Sequence, residues 1–172
     1  MQGIKIQPIN GGFAGLARRV PKAASAALNR VAASARASAA KTIASDIGIK
    51  QSVVRDSVVI HKATSTTVEA QIVATGKRIP IIDMGARQTA RGVTYKSGAG
   101  RKTVPGAFIA RVGQHTGVFK RFGRRRLPIG ELFGPSLVLV FKKSAVQTAM
   151  RAVIRTRMPV EMESAARHFG NP

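Results

Sequence analysis

A long alanine-rich segment, residues 22–47, constrains the fold of this chain more than any other stretch. Apolar side chains recur in it at spacings of three and four, which is the period of an α-helix with one buried face. Pro21 either begins this helix or kinks a longer one that starts near Phe13, and Gly48 is a natural stop. The small side chains allow another helix or a sheet to approach closely. The apolar stripe consists of Leu28, Val31, Ala35, Ala39, Ile43 and Ile47.

The middle of the chain has the composition of antiparallel strands. After a short helical turn at 50–57, the segments 57–64 and 66–75 are rich in Val, Ile and Thr. They predict a hairpin with its turn near residues 64–66. Two further hairpins are predicted, because strand-like runs flank polar or glycine-containing breaks. Their arms lie at 92–96 with 102–108, and at 106–112 with 117–122, while residues 2–9 are expected to be extended.

The C-terminal third predicts helices. Pro135 suits the first turn of a helix that runs from Ser136 to about Arg157, although the start of this region, "LVLVF", could instead be a strand. Pro159 is expected to open a last short helix, with Glu161 and Glu163 in its first turn, where acids favour the helix dipole. The apolar stripe of the longer helix is predicted at Leu139, Val146, Met150, Val153 and Ile154.

The order of these elements predicts an α+β fold, with a long N-terminal Ala-rich helix, an antiparallel sheet of hairpins and C-terminal helices. The chain of 172 residues is expected to form a single domain, 1–172, that is large enough to bury a sizeable core. Residues 85–104 are rich in glycine and basic side chains. We expect this segment to be a flexible basic loop that is either mobile or ordered only against a partner.

Charge is the most unusual property of the chain. It has 29 Lys and Arg against 7 Asp and Glu, a net charge of +22, and residues 77–126 contain a single acid, Asp83. Such an excess attracts polyanions without naming them. It is compatible with a solvated surface, with binding to nucleic-acid phosphates, or with contact to acidic neighbouring subunits in an assembly. The scarcity of aromatic residues, seven Phe and one Tyr, disfavours base stacking.

The basic residues of this region are the candidate contacts to an assembly partner or to DNA. Charge alone does not decide between these two partners. The candidates are Arg87, Arg91, Lys96, Arg101, Lys102, Arg111, Lys120, Arg121, Arg124, Arg125 and Arg126.

The sequence offers little support for catalysis, a metal or a cofactor. The stretch 97–103 resembles a phosphate-binding loop, but Arg101 separates the glycine from the lysine and Tyr95 stands where the first glycine belongs. The three histidines lie far apart and have no ligand at metal-binding spacing. The chain has no cysteine. We therefore expect no enzyme activity, no cofactor and no metal, and neither a signal peptide nor a transmembrane helix.

Several uncharged segments resemble the minor tail protein Z family of tailed phages and prophages. The similarity spans about residues 13–165 and includes the segments 27–44, 58–64, 68–81 and 102–136. The last of these is the most specific, because its apolar and turn residues keep their order and spacing. Its skeleton includes Pro105, Gly106, Phe108, Phe119, Pro128, Ile129, Gly134 and Pro135.

This resemblance implies a structural virion protein without a catalytic site. Proteins of the family are tail completion components, expected at the head-proximal end of the tail or neck, and related proteins form six-fold rings. The implied partners are copies of the chain itself, as a homo-hexamer, other tail or neck proteins and, transiently, genomic DNA. Assembly in the bacterial host cytoplasm and no contact with a membrane are also implied. The alternative reading of the charge is a stand-alone basic nucleic-acid-binding protein.

Overall fold

The computed structural model describes residues 2–7, 15, 20–98 and 100–169. Helix α1, Pro21–Ile47, is the longest element, and all six positions of the predicted stripe are buried in it. The helix begins at Pro21, as one of the two predicted alternatives had it, and Gly48 ends it in a left-handed conformation with its N–H bonded to the Ala44 carbonyl. The predicted helical turns at 13–20 lie almost entirely outside the described residues.

Helix α1 is buried more widely than the single predicted stripe. It packs antiparallel to a long C-terminal helix and also against two strands of a sheet, so that further alanines face neighbours. A small side chain at these positions lets the backbones approach, which explains the alanine content. The additional buried alanines are Ala23, Ala24, Ala27, Ala32, Ala40 and Ala44.

A three-stranded antiparallel sheet with the order β1-β3-β2 packs against α1. Ile4 and Ile60 both pair with Ile72 of the central strand, and Ile72 is fully buried. The first predicted hairpin is confirmed, and so is the extended N-terminus over residues 2–6, while residues 8 and 9 of that prediction lie outside the described residues. The elements are β1 Gln2–Ile6, the short helix α2 Gln51–Ser57, β2 Val58–His61 and β3 Ala70–Ala74.

The other strands form two three-stranded sheets and one two-stranded pair, with the orders β5-β6-β7, β8-β9-β10 and β4-β11. The second and third predicted hairpins are confirmed, and Gly106 separates their adjoining arms with a φ of 70°. A 3-10 turn, Ile81–Met84, directly follows β4. The strands are β4 Arg78–Pro80, β5 Arg87–Thr89, β6 Gly92–Ser97, β7 Gly100–Pro105, β8 Ala107–Val112, β9 His115–Arg121, β10 Ile129–Glu131 and β11 Phe133–Ser136.

The predicted division of the C-terminal region was wrong. The predicted helix from Ser136 is interrupted at Lys142–Lys143, which separates α3, Leu137–Phe141, from α4, Ser144–Phe169. Helix α4 continues through Pro159, which does not open a new helix. A proline inside a helix removes one hydrogen bond and costs about 3 kcal/mol. Packing of α4 along α1 offsets this cost.

Three smaller predictions in this region are corrected by the same geometry. Glu161 and Glu163 do not stand in a first helical turn, because α4 begins at Ser144. Pro135 lies in β11, not in a helix. Leu139 is 64% exposed and so does not belong to the buried stripe, since α3 presents its other side to the core through Leu137, Val140 and Phe141.

No helix within the described part of the chain is both long and apolar enough to cross a bilayer. The α+β class is confirmed.

Candidate functional site

Three of the candidate basic residues lie on one face of the β5-β6-β7 sheet. In the strand register, Arg87 lies opposite Thr94, and Arg101 lies opposite Lys96. Thr94 and Lys96 are two positions apart on β6 and so point to the same face, which places all three basic side chains on that face. Lys102 pairs with Tyr95 and lies on the opposite face. The structure therefore brings together Arg87, Lys96 and Arg101, which are separated by up to fourteen positions in the sequence.

Two of these three side chains are partly engaged within the fold. The Arg101 guanidinium donates to the Gly85 carbonyl at 3.2 Å and to the Thr94 hydroxyl at 3.2 Å. The aliphatic stem of Lys96 lies against Gly48, where an added Cβ would stand 2.9 Å from the Lys96 Cβ. The turn between β6 and β7 also approaches the end of α1, because a Cβ on Gly98 would lie 3.1 Å from the Asp46 carbonyl oxygen. The flexibility expected for residues 85–104 stays a prediction.

The β8-β9-β10 sheet carries an aromatic pair beneath one candidate arginine. The Phe108 and Phe119 rings lie 6.3 Å apart, and Phe119 is buried. The Arg121 guanidinium stands over the Phe108 ring at 4.9 Å, which is a cation–π distance. Arg111 donates from Nε to the Gly113 carbonyl at 3.2 Å. Both arginines thus stabilise the ends of the hairpin, in addition to any contact with a partner.

His115 and Glu131 are adjacent on the same sheet. His115 begins β9, and its Nε2 lies 2.7 Å from Glu131 Oε1 on β10. The carboxylate fits there because Gly117 has no side chain: an added Cβ would stand 2.7 Å from the same oxygen. No group of three or more His, Cys, Asp and Glu suited to a metal ion occurs among the described residues.

The loop between β9 and β10, residues 122–128, projects the most basic part of the chain into solvent. We call it the arginine tip. The Phe122 N–H bonds to the Pro128 carbonyl at 3.3 Å and closes the loop, in which the Leu127–Pro128 peptide bond is cis. Phe122 is 78% exposed and Leu127 65% exposed. Among the described residues, no hydrogen bond or ion pair holds Arg124, Arg125 or Arg126, and all three are exposed.

The family-skeleton residues have identifiable structural positions. Gly134 lies against Met84, and a Cβ there would stand 2.6 Å from the buried Met84 Sδ. This close approach allows β11 to pair with β4 beside the 3-10 turn. Gly106 makes the turn after Pro105, which ends β7, and Ile129 begins β10 after Pro128. Pro128 and Ile129 thus border the arginine tip, whereas Gly106 and Gly134 shape the neighbouring turns and strands.

Sequence reasoning missed a cleft of about 630 Å³ between α2, β4 and β11. We call it the aspartate cleft, because Asp56 and Asp83 both line it. Its apolar lining includes Phe133, which is 44% exposed. Nothing in the local sequence pattern signals this site, since its acids are 27 positions apart. The remaining lining residues are Val53, Ser57, Lys77, Arg78, Ile79 and Pro80.

The described surfaces carry exposed basic side chains, and comparison with known proteins shows the class to which the chain belongs. A model of the family described as prophage minor tail protein Z (GPZ) matches residues 13–169, so the chain belongs to this family of phage tail proteins. Among curated proteins, the chain is similar to the tail completion protein Z of Escherichia phage lambda, with 26% identity over an alignment of 169 positions. The alignment covers 87% of this chain and 85% of the relative. No solved structure matches the chain significantly. The predicted family is confirmed.

Proposed function

We propose that this minor tail protein completes the phage tail as an oligomeric ring at its head-proximal end. The ring joins the finished tail to the neck of the DNA-filled head, and six copies form it. The membership of the minor tail protein Z family supports a structural role in the virion tail. The name of the lambda relative, a tail completion protein, supports the position at the end of tail assembly.

The observation that carries the proposal is the arginine tip. A hairpin that projects three exposed arginines without internal partners among the described residues is poorly explained by the stability of the fold. Guanidinium groups bind carboxylates and phosphates with two parallel hydrogen bonds. The tip is therefore suited to contact an anionic partner.

Charge also constrains the ring. Six copies of a chain of net charge +22 would carry about +130, and such a ring would repel itself. Acidic surfaces of neighbouring tail or neck proteins, and the DNA that passes during packaging or ejection, would offset this repulsion. Within this proposal the protein assembles in the host cytoplasm and remains in the virion tail, with no catalytic step of its own.

Reversal of the tip charge tests the proposal. We expect Arg124→Glu, Arg125→Glu and Arg126→Glu together to leave tails complete in length but unjoined, because the tip no longer binds its anionic partner. The measurement is the ratio of joined to free tails in electron micrographs of lysates. A matched control reverses three exposed bases elsewhere, Lys142, Arg151 and Arg155, and should leave joining unchanged.

Two results would contradict the proposal. Normal joining and normal infectivity of the tip variant would show that the tip has no role at the junction. An equal loss of joining in both variants would show that total charge, not the tip, matters.

A further inference from the structure

The seven acids of the chain fall into two groups, those beside a basic side chain and those without one. Five of them lie within 4 Å of a basic side chain. Only Asp56 and Asp83 lack such a partner among residues 2–7, 15, 20–98 and 100–169, and both line the aspartate cleft. The five paired acids are Asp46, Glu69, Glu131, Glu161 and Glu163.

The aspartate cleft is electrically neutral, although the chain is strongly basic. Lys77 and Arg78 line it with the two aspartates, so its four charged side chains sum to zero, whereas the chain as a whole carries +22. Neither base lies within ion-pair distance of Asp56 or Asp83. The carboxylates therefore remain available to an incoming cation.

The arginine tip has the complementary chemistry. It presents three guanidinium groups flanked by two exposed apolar side chains, Phe122 and Leu127. The Phe122 ring rests on the backbone of Gly130, where an added Cβ would stand 2.5 Å from the ring. This contact fixes the aromatic side chain while most of its surface stays in solvent. The tip does not fill the cleft of its own chain, because both apolar residues remain exposed.

We propose that the arginine tip of one copy docks in the aspartate cleft of the next copy. Arg124–Arg126 bind Asp56 and Asp83, and Phe122 and Leu127 cover the apolar lining that includes Phe133. Apolar complementarity favours a protein partner over DNA phosphates, because phosphates have no apolar surface on which Leu127 could pack. Because tip and cleft are different surfaces, the contact is head-to-tail, and a contact of this type forms a ring when the rotation between successive copies closes.

The inference rests on the proposed ring and identifies its contact. A bismaleimide cross-link tests it in assembled tails, since the chain has no natural cysteine. Gly123→Cys places a thiol on the tip at a position with open space, and Ser57→Cys places one in the cleft. Neither substitution removes a proposed contact. We expect the double variant to give a ladder of covalent oligomers that ends at the ring size.

Matched variants separate the contact from random proximity. Each single-cysteine variant should give no product larger than a dimer. Gly123→Cys combined with Gly100→Cys, another open position outside the cleft, should give no ladder. Absence of the ladder from the Gly123 and Ser57 pair, in tails where electron microscopy shows the ring in place, would overturn the docking contact and leave the proposed function standing. Absence of the ring itself would overturn both.

Charge exchange provides the second test, on purified protein. Reversal of Arg124, Arg125 and Arg126 to Glu should weaken self-association, detected as the cross-linked ladder, about a hundredfold. Asp56→Arg combined with Asp83→Arg should weaken it to the same extent. Both sets together in one chain should restore it. A mixture of the two reversed proteins should also restore the ladder, because the native tip meets a native cleft and the reversed tip meets a reversed cleft. If the tip reversal abolishes binding to duplex DNA but leaves the ladder unchanged, the tip faces DNA and the inference is wrong.

Discussion

Arg30 of α1 donates from Nε to Oε2 of Glu161 on α4 at 2.8 Å, and this contact joins the two long helices near their solvent-facing side. Arg157, one turn earlier on α4, donates to the other carboxylate oxygen at 2.9 Å. Both oxygens of the buried carboxylate are thus bonded to guanidinium groups, although half of each arginine side chain remains exposed. The pairing fixes the register of α4 on α1 just beyond Pro159.

Loss of this carboxylate is predicted to destabilise the helix pair. We expect Glu161→Gln to lower the free energy of unfolding by about 2 kcal/mol, because the amide nitrogen cannot accept a hydrogen bond and the negative charge between the two guanidinium groups is removed. Urea unfolding followed by circular dichroism measures the effect. Glu163→Gln is the control, since its contact with Arg167 is solvent-exposed and is worth under about 1 kcal/mol. Equal effects of the two substitutions would contradict the assigned geometry.

The alanine-rich face of α1 is predicted to reject larger side chains. Ala35 is fully buried, so Ala35→Leu should cost about 1–3 kcal/mol through overpacking. Ala37→Leu, two positions on at an exposed site, should be nearly neutral. Thermal unfolding of both variants provides the measurement. A neutral Ala35→Leu would mean that α1 is not enclosed by its neighbours.

The hairpin of β6 and β7 depends on Gly92. Its φ is 142°, and an added Cβ would stand 2.1 Å from the Val104 carbonyl oxygen. We expect Gly92→Ala to cost at least about 2 kcal/mol, because both the backbone conformation and the strand approach are lost. Gly100 begins the opposite strand, and an added Cβ there would meet no atom within 4 Å, so Gly100→Ala should cost under about 1 kcal/mol. Hydrogen exchange of the backbone amides of β6 and β7 would report the loss, and equal protection in the two variants would refute the register.

Glu69 is predicted to titrate at unusually low pH. A hydrogen bond from the Gln7 side chain, and then one from the Lys5 ammonium, holds the pKa of this carboxyl below its ordinary value. The folded pKa is depressed, so the stabilisation is fully present above the unfolded pKa and is lost as the pH falls through the folded pKa. Carbon NMR of the Glu69 carboxyl should show the low midpoint, and Gln7→Ala should raise it. An unchanged midpoint in Gln7→Ala would exclude the hydrogen bond as its cause.

Much of the fold could be predicted because it is encoded locally. The three- and four-residue spacing from Leu28 to Ile47 specifies α1, and Val, Ile and Thr runs between glycine-containing breaks specify the hairpins. These signals need no knowledge of distant residues. The same applies to Gly48, whose left-handed conformation ends the helix.

The unpredicted features depend on contacts between distant residues. Pro159 was expected to begin a helix because its local preference is clear, but packing along α1 keeps α4 continuous. Glu161 was assigned to the helix dipole because Arg30, 131 positions earlier, is invisible to local patterns. The aspartate cleft was missed for the same reason. Charge counting identified the arginine tip, but it gave no indication of where Asp56 and Asp83 meet.

The central claim is that the protein forms a ring at the head-proximal end of the tail. Cryo-electron microscopy of complete phage particles that carry a small tag on this protein tests it most directly. We expect tag density only at the junction of tail and neck, arranged as a closed ring of six. Tag density along the tail tube or at the distal tip, or its absence from the particle, would contradict the account.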